Sequence, residues 1–138
     1  SASVDTSAMS DGLPRYVPKA WGFEEILVAH PLYTLKRLTV LPGFRCSLHY
    51  HRLKVETFLV VSGTLRLEIQ SVTPEGEPLE KLRPEVLRPG QQFPLETCIA
   101  HRFYAATHEP CVFLEVSTQD IAEDSYRLDT SGPLTERA

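Results

Sequence analysis

Hydrophobic and polar residues alternate over short segments of this chain, and turn-forming residues separate the segments. The clearest example is 32–41, which alternates, is rich in β-forming residues and ends at a Pro-Gly turn. Similar signals predict strands at 21–28, 45–51, 56–61, 64–72, 86–87, 92–95, 100–105 and 111–117. Many short strands at close spacing favour a sandwich or closed barrel over βαβ units. The pattern therefore predicts an all-β fold.

The length of 138 residues suits one hydrophobic core, so one domain is expected. We place that domain at 19–129, after a small, polar N-terminal segment at 1–18 that we expect to be a flexible arm. Residues 130–138 are expected to form an irregular tail, because a Ser-Gly-Pro stretch interrupts regular structure. A short helical turn is expected near 121–125, and an exposed loop at 73–84, which holds three prolines.

Composition narrows the class of protein. The net charge of -4 and the absence of a Lys/Arg cluster argue against a nucleic-acid partner. No apolar run approaches the roughly 18 to 20 residues that a membrane span needs, so no membrane partner is expected. The three cysteines, Cys46, Cys98 and Cys111, form no C-x-x-C pair, which favours a reducing, cytoplasmic compartment over a disulfide framework.

Candidate chemistry concentrates in one motif between two glycines. Gly43, His49, His51, Glu56 and Gly63 follow the spacing G-x5-H-x-H-x4-E-x6-G. Two histidines one residue apart in a strand project to the same face. The glutamate follows five residues later, so a turn or strand crossing must bring it back to them. Imidazole and carboxylate groups that converge in this way suit a divalent transition metal.

This spacing resembles the first motif of the cupin superfamily at every fixed position. The resemblance implies a jelly-roll barrel in which His49, His51 and Glu56 bind a metal. It also implies a fourth ligand from a later histidine, for which His101 is the candidate. The second cupin motif, normally Pro-x-Gly-x-x-His, is altered here: Pro94 precedes His101 by seven residues and the glycine is absent. Such ligands suit one Mn, Fe, Co, Ni or Zn ion without selecting among them.

Other segments resemble the cupin domain of type II mannose-6-phosphate isomerases. The sequence Ala-Trp-Gly-Phe-Glu at 20–24 and the sequence at 34–43, which contains Lys-Arg-Leu-Thr-Val and ends in Pro-Gly, match that group. Arg45, Ser47 and Leu48 fall in register with its arginine and Ser-Leu. That group usually has glutamine at the position of His49. The resemblance implies a sugar or sugar-phosphate aldose–ketose isomerase.

An isomerase needs a base that moves a proton between two sugar carbons. Glu115 is the main candidate, because it shares a strand face with Phe113 and Ser117 in the predicted strand. Lys36 is the second catalytic candidate, since its ammonium group can bind anionic or hydroxyl groups of a substrate. Arg45 has the same binding capacity. Tyr33 and Tyr104 are further candidates for hydroxyl binding or proton transfer, and Arg127 matches an arginine late in the isomerase pattern.

Two other functions fit the same motif. A mononuclear iron cupin dioxygenase uses the same kind of site, but the resemblance at 20–24 and 34–43 points to carbohydrates instead. A non-catalytic carbohydrate-binding cupin module is the second alternative. The resemblance also implies a homodimer, and the expected ligand is a small sugar or sugar phosphate.

Overall fold

The computed structural model describes residues 12–134, and most of this part of the chain is β-strand. The strands are β1 (Arg15–Lys19), β2 (Gly22–Ala29), β3 (Thr34–Val40), β4 (Phe44–Arg45), β5 (His49–Tyr50), β6 (Glu56–Ser62), β7 (Leu65–Ser71), β8 (Arg83–Leu87), β9 (Gln92–Leu95), β10 (Ile99–Ala105), β11 (Cys111–Ser117), β12 (Tyr126–Arg127) and β13 (Gly132–Pro133). A single 3-10 turn at Ala122–Asp124 interrupts them in this range, where the sequence predicts a helical turn. The expected all-β jelly roll is confirmed.

Two antiparallel sheets face each other. The first has the strand order β1-β2-β3-β11-β6-β9. In the second, β10 pairs with β7 on one side and with both β4 and β5 on the other. Strand β8 extends this sheet beyond β7, and the short strands β12 and β13 pair with β5 and β4. The chain crosses between the sheets several times after β3, as a jelly roll requires: β6, β9 and β11 lie in the first sheet and β5, β7 and β10 in the second.

The inward faces of the central strands of the first sheet change character along their length. Each is polar at one end of the barrel and apolar at the other. In that order the inward residues are Thr34, Lys36, Leu38 and Val40 in β3; Ser117, Glu115, Phe113 and Cys111 in β11; and Glu56, Phe58 and Val60 in β6. Because the antiparallel register aligns these ends, the barrel has a hydrophobic end and a polar end.

Aromatic rings fill the hydrophobic end. Phe58, Phe103 and Phe113 are almost completely buried, and Phe103 meets Phe113 edge to face with ring centroids 5.1 Å apart. Trp21 packs against Phe103 in the same geometry and belongs to this core. Such contacts contribute about 0.5 to 1.5 kcal/mol each beyond the area they bury. This core fixes the strands whose other ends carry the polar residues.

The structure corrects two boundaries of the predicted strands. Arg15–Lys19 belongs to the segment expected to be a flexible arm, yet it is a strand that pairs with residues 22–26 of β2, with Tyr16 against Phe23. The remainder of that arm, 1–11, lies outside the described residues. The predicted strand at 45–51 is divided into β4 and β5. Between β4 and β5, backbone N–H groups donate to side chains of the C-terminal segment instead of to a strand. Ser47 N donates to Ser131 Oγ, and Leu48 N donates to Asp129 Oδ1.

The C-terminal segment is more ordered than expected. The prediction of an irregular tail from residue 130 is wrong for Gly132–Pro133, which pairs with Phe44–Arg45. No local pattern specifies this pairing, because the partners lie far apart in the sequence. Leu134 N also donates a hydrogen bond to Gly43 O, next to the paired strand. The tail thus closes one edge of the second sheet.

The two motif glycines share a positive φ but differ in the space around them, and alanine substitutions would distinguish the two effects. Both have positive φ, +91° at Gly43 and +75° at Gly63, so alanine at either position costs about 1 to 2 kcal/mol in backbone strain. A Cβ at Gly63 would also lie 2.4 Å from Pro110 O, whereas at Gly43 it would meet nothing within 4 Å. We expect Gly63→Ala to lower the free energy of unfolding roughly 2 kcal/mol further than Gly43→Ala, in urea titrations followed by circular dichroism. Equal losses would show that the chain relaxes around residue 63.

Candidate metal centre

Three histidines converge at the polar end of the barrel. Strand pairing places His101 of β10 directly opposite His49 of β5, and His51 follows at the end of β5 on the same side as His49. One ring nitrogen from each histidine lies within 4.8 Å of the other two. His51 and His101 are buried and His49 is half-buried. The two-residue period of the strand, together with the β5–β10 register, therefore builds the triad.

Backbone carbonyl groups orient all three rings. Each Nδ1 lies at hydrogen-bond distance from a carbonyl oxygen: His49 from Ser47 O at 2.8 Å, His51 from Asp124 O at 2.9 Å, and His101 from Ile99 O at 2.9 Å. A carbonyl oxygen only accepts, so Nδ1 must carry the hydrogen and donate. Each Nε2 is then left with a free lone pair. Histidines that bind metals are typically fixed in this way.

Burial keeps the imidazoles of His49 and His51 neutral. Desolvation lowers the pKa of His49 well below its ordinary value, and the nearby His101 lowers it further. Desolvation also lowers the pKa of His51, although Glu56 partly opposes the shift. Neutral imidazole is the form that binds a metal. At neutral pH these two rings therefore need no deprotonation before they can act as ligands.

Glu56 borders the triad, and its buried carboxylate lies close to two of the ring nitrogens. Its Oε1 lies 2.9 Å from His101 Nε2 and 3.7 Å from His51 Nε2. In a neutral His101 ring that donates through Nδ1, a lone pair on Nε2 faces a carboxylate lone pair, and neither atom has a hydrogen-bond partner among residues 12–134. Unsatisfied buried polar groups of this kind are costly. A divalent cation among these atoms would remove the conflict, so the residues fit a metal.

Asp124 holds the loop between the ligands. Its carboxylate accepts hydrogen bonds from the backbone N–H groups of Arg52 and Leu53 through Oδ1, and from Lys54 through Oδ2, at 2.8, 3.0 and 2.9 Å. Its own carbonyl accepts from His51 Nδ1. Asp124 is buried, with 3% of the residue exposed. One residue from the 3-10 turn thus fixes both the metal-motif loop and one ligand ring.

Beside the triad lies a network of buried lysines and carboxylates. Lys36 Nζ is 2.7 Å from Asp120 Oδ2 and 3.6 Å from Glu24 Oε1. Lys54 Nζ is 3.1 Å from Asp120 Oδ1, 3.4 Å from Glu56 Oε2 and 3.6 Å from Glu115 Oε2. Although burial alone would lower them, these carboxylates raise the pKa values of both lysines above the ordinary value. Both ammonium groups are therefore charged at neutral pH.

Glu115 differs from the other carboxylates in this network. Burial and the neighbouring Glu56 raise its pKa to about 7, although Lys54 and Lys36 act in the opposite direction. Its Oε2 is buried and has no hydrogen-bond partner. By contrast, the two lysines hold the pKa of Asp120 at about 2 against the effect of burial. Glu115 can therefore bind or release a proton near neutral pH, as a general acid–base group must.

These groups border one open cavity of about 310 Å³ between the two sheets. His49, His51, Lys36, Lys54 and Glu115 all line it. Trp21, Leu38 and Phe103 provide its apolar wall. The volume falls at the lower end of the range for small-molecule sites, and the lining combines apolar surface with a few polar groups, as such sites do.

Of the two arginines predicted from sequence to bind substrate, one lines the cavity and the other does not. Arg127 lines the cavity and donates to Ser47 Oγ at 3.2 Å. Arg45 does not line it: its guanidinium group donates to Thr130 O and pairs with Asp129. The prediction that Arg45 binds substrate is therefore replaced by a role in holding the C-terminal segment.

Neither tyrosine lies at the cavity. Tyr33 is 47% exposed and stacks on His30 in the β2–β3 turn. Tyr104 alternates with the buried residues Phe103 and Ala105 of β10, so its side chain lies on the outer face of that strand. The two-residue period that turns His101 inward thus turns Tyr104 outward, because they are an odd number of residues apart.

Four residues of the site were not predicted from sequence: Glu24, Lys54, Asp120 and Asp124. A signal for Lys54 was present, since it lies between His51 and Glu56 within the motif. Alternation in the predicted strand at 21–28 also places Glu24 on the same face as the buried Ile26. The two aspartates follow β11, far beyond the end of the motif in sequence, and only the fold brings them to it.

A family model described as "Cupin domain" matches residues 36–117, which is more than half of the chain. The protein belongs to the cupin family. Among curated proteins, no sequence matches this chain significantly.

Solved structures show the same fold at low sequence identity. The capsular polysaccharide assembling protein CapF from Staphylococcus aureus is 15% identical, with a TM-score of 0.73 over 89% of this chain and 34% of its own. Bacillus subtilis oxalate decarboxylase, a protein with Mn(II) centres, is 21% identical, with a TM-score of 0.64 over 82% of this chain and 29% of its own. KdgF from Halomonas sp. is 17% identical, with a TM-score of 0.58 over 73% and 81%. This chain thus spans about a third of CapF.

Within residues 12–134 no helix is long and apolar enough to cross a membrane.

The role of Asp124 predicts that its carboxylate supports metal binding. We expect Asp124→Asn to weaken zinc binding about 10- to 100-fold, because the loop that carries His51 loses its anionic acceptor. Competition titrations with a chromogenic chelator would measure the affinity. Glu123→Gln removes the same charge from the adjacent exposed residue and should bind zinc as the wild type does. A folded Asp124→Asn protein with unchanged affinity would contradict this role.

The raised pKa of Glu115 predicts a pH-dependent cost of folding. In the unfolded chain this group ionises near 4.5, whereas in the folded protein it keeps its proton to about 7. Between these values the folded state binds more protons, so its contribution to stability falls as pH rises and is lowest above pH 7. Glu115→Gln should therefore gain stability relative to wild type from pH 4.5 to 7, by about 3 kcal/mol.

Chemical denaturation of metal-free protein at pH 5 and pH 8 would measure this gain. Glu109→Gln, which removes an exposed carboxylate, serves as the control and should change little between the two pH values. A difference between Glu115→Gln and wild type that is the same at both pH values would contradict the assignment.

Proposed function

We propose that this cupin is a metal-dependent aldose–ketose isomerase of a sugar or sugar phosphate. The observation that carries the proposal is the position of Glu115 on the cavity that His49 and His51 also line. Its carboxylate has a pKa of about 7, and among the described residues its Oε2 has no hydrogen-bond partner. A triad alone suits many cupin activities. A proton-transfer group beside it suits a reaction that moves a proton between neighbouring carbons.

The residues available to hold the metal are His49, His51 and His101, with Glu56 beside them as a fourth ligand. Three imidazoles and a carboxylate suit Mn, Fe, Co, Ni or Zn. When bound, such an ion supplies Lewis-acid polarisation of a sugar carbonyl.

Glu115 is assigned the proton transfer. Its carboxylate would take the proton from the carbon next to the carbonyl and return it to the former carbonyl carbon, while a hydroxyl proton moves between the two oxygens. The side chain is left unchanged at the end, so no other reactant is needed. A pKa near 7 suits both halves of this task, because the group accepts and releases a proton with similar ease at neutral pH.

The remaining cavity residues bind and orient the substrate in this proposal. Lys36 and Lys54 supply buried ammonium groups, and Arg127 supplies a guanidinium group at the rim. Trp21 and Phe103 form an apolar surface against which the sugar ring can lie. The cavity of about 310 Å³ limits the substrate to a small sugar.

The sequence resemblance to type II mannose-6-phosphate isomerases supports the same reaction class. The segments that carry it, 20–24 and 34–43, contribute Trp21, Glu24 and Lys36 to the cavity. The resemblance therefore involves residues of the candidate site as well as residues of the barrel.

The test is turnover of a panel of aldoses, ketoses and their phosphates in D2O, followed by proton NMR. An isomerase should give the paired sugar and incorporate deuterium at C1 or C2. Glu115→Gln should lower the rate about 10² to 10⁴-fold. His49→Ala/His51→Ala should lose both the metal, measured by inductively coupled plasma mass spectrometry, and the activity. Tyr104→Phe, on the outer face of β10, should retain both.

Three results would overturn the proposal. Activity that disappears when oxygen is removed would indicate a dioxygenase. A sugar that stabilises the protein without turnover would indicate a binding module. Full isomerase activity in Glu115→Gln would show that another group transfers the proton.

A further inference from the structure

One carboxylate lies between the two buried lysines of the cavity. Asp120 contacts Lys36 Nζ through Oδ2 at 2.7 Å and Lys54 Nζ through Oδ1 at 3.1 Å. The lysine side chains are 9% and 6% exposed, whereas that of Asp120 is 38% exposed. Glu24, Glu56 and Glu115 lie farther from these ammonium groups, at 3.4 to 3.6 Å. Among the described residues, Asp120 is the carboxylate that bridges both lysines at hydrogen-bond distance.

Asp120 lies on an exposed connection, whereas the two lysines lie on backbone that its neighbours restrain. Lys36 lies in the middle of β3, between two paired strands, and Lys54 lies in the loop that Asp124 holds. Asp120 lies in the exposed stretch 118–121, between β11 and the 3-10 turn. Backbone hydrogen bonds fix this stretch at its ends, from Thr118 N to Val55 O and from Asp124 N to Ile121 O. The lysines are thus fixed and their shared partner is on a connection.

The net charge of this group becomes positive when Asp120 is left out. Lys36 and Lys54 supply two positive charges, and a divalent ion at the triad would supply two more. Glu24, Glu56 and Glu115 supply at most three negative charges, so at least one positive charge is unbalanced without Asp120. An anion in the place of Asp120 would therefore restore the balance.

We propose that Lys36 and Lys54 form a subsite for one anionic oxygen group of the ligand, a phosphate or a carboxylate, and that Asp120 occupies this subsite in the free protein. The ligand group displaces the Asp120 side chain, which swings out with the stretch 118–121. The identity of the ligand as a sugar derivative rests on the proposed function, but the subsite does not depend on isomerisation.

Two properties distinguish this arrangement from a purely structural ion pair. Both ammonium groups line the cavity that His49 and His51 of the triad also line, so their charge is directed at the site of binding. Their common partner also lines that cavity, at its rim, where its departure exposes it to water rather than burying it elsewhere. Ammonium groups bind phosphate as point charges and need no planar, bidentate geometry.

The test is binding of inorganic phosphate to the full chain by isothermal titration calorimetry, at constant ionic strength, with and without prior EDTA treatment. If the open form is about a tenth of the free population, Asp120→Asn should bind phosphate about tenfold more tightly than wild type. Lys36→Met/Lys54→Met should lose at least that much affinity. Glu123→Gln makes the same change in net charge on an exposed neighbouring residue and should bind as wild type.

A second titration with acetate distinguishes the two ligand groups: preference for phosphate indicates a sugar phosphate, and preference for acetate indicates a sugar acid. Equal or weaker binding of both anions by Asp120→Asn would overturn the proposal, provided that circular dichroism shows a folded protein. Unchanged binding by the double lysine variant would also overturn it. Because no turnover is measured, these outcomes are independent of whether the protein is an isomerase.

Discussion

The polar end of the barrel depends on the pairing of β10 with β5, which places His101 opposite His49. Burial removes water from these rings, so each needs a protein acceptor for its Nδ1 hydrogen, and backbone carbonyls supply one for each. The same bonds leave three lone pairs directed at a single space. A buried cluster of this kind is stable only when a cation or proton offsets its mutual repulsion.

The surrounding charges follow from that requirement. Glu56 brings negative charge to the triad, Lys54 offsets it, and Asp120 joins Lys54 to the second buried lysine. The chain of charges runs from the metal ligands to the rim of the cavity. Because its members contact one another, a change at the rim alters the electrostatic environment of the centre.

Packing at the hydrophobic end of the barrel offsets the cost of burying these charged groups. Phe58 packs against Phe113 on one side and lies 5.9 Å from His101 on the other, measured between ring centroids. The apolar contacts fix strands that would otherwise be pushed apart by buried polar groups at their other ends. The C-terminal segment adds a second restraint, since Asp124 and Asp129 accept N–H groups of the loops on either side of β5.

Most of the strands, the all-β class and the common face of His49 and His51 follow from the sequence, because they depend on a two-residue period and on a motif of fixed spacing. The inward position of Glu115 and the distant groups that meet the motif are set by the tertiary structure. Asp120 and Asp124 reach the motif across the barrel, and Arg45 is held by the chain terminus rather than by the cavity. Local periodicity specifies the face on which a side chain lies, whereas its partners across the barrel are set by sheet order and register, which are properties of the whole fold.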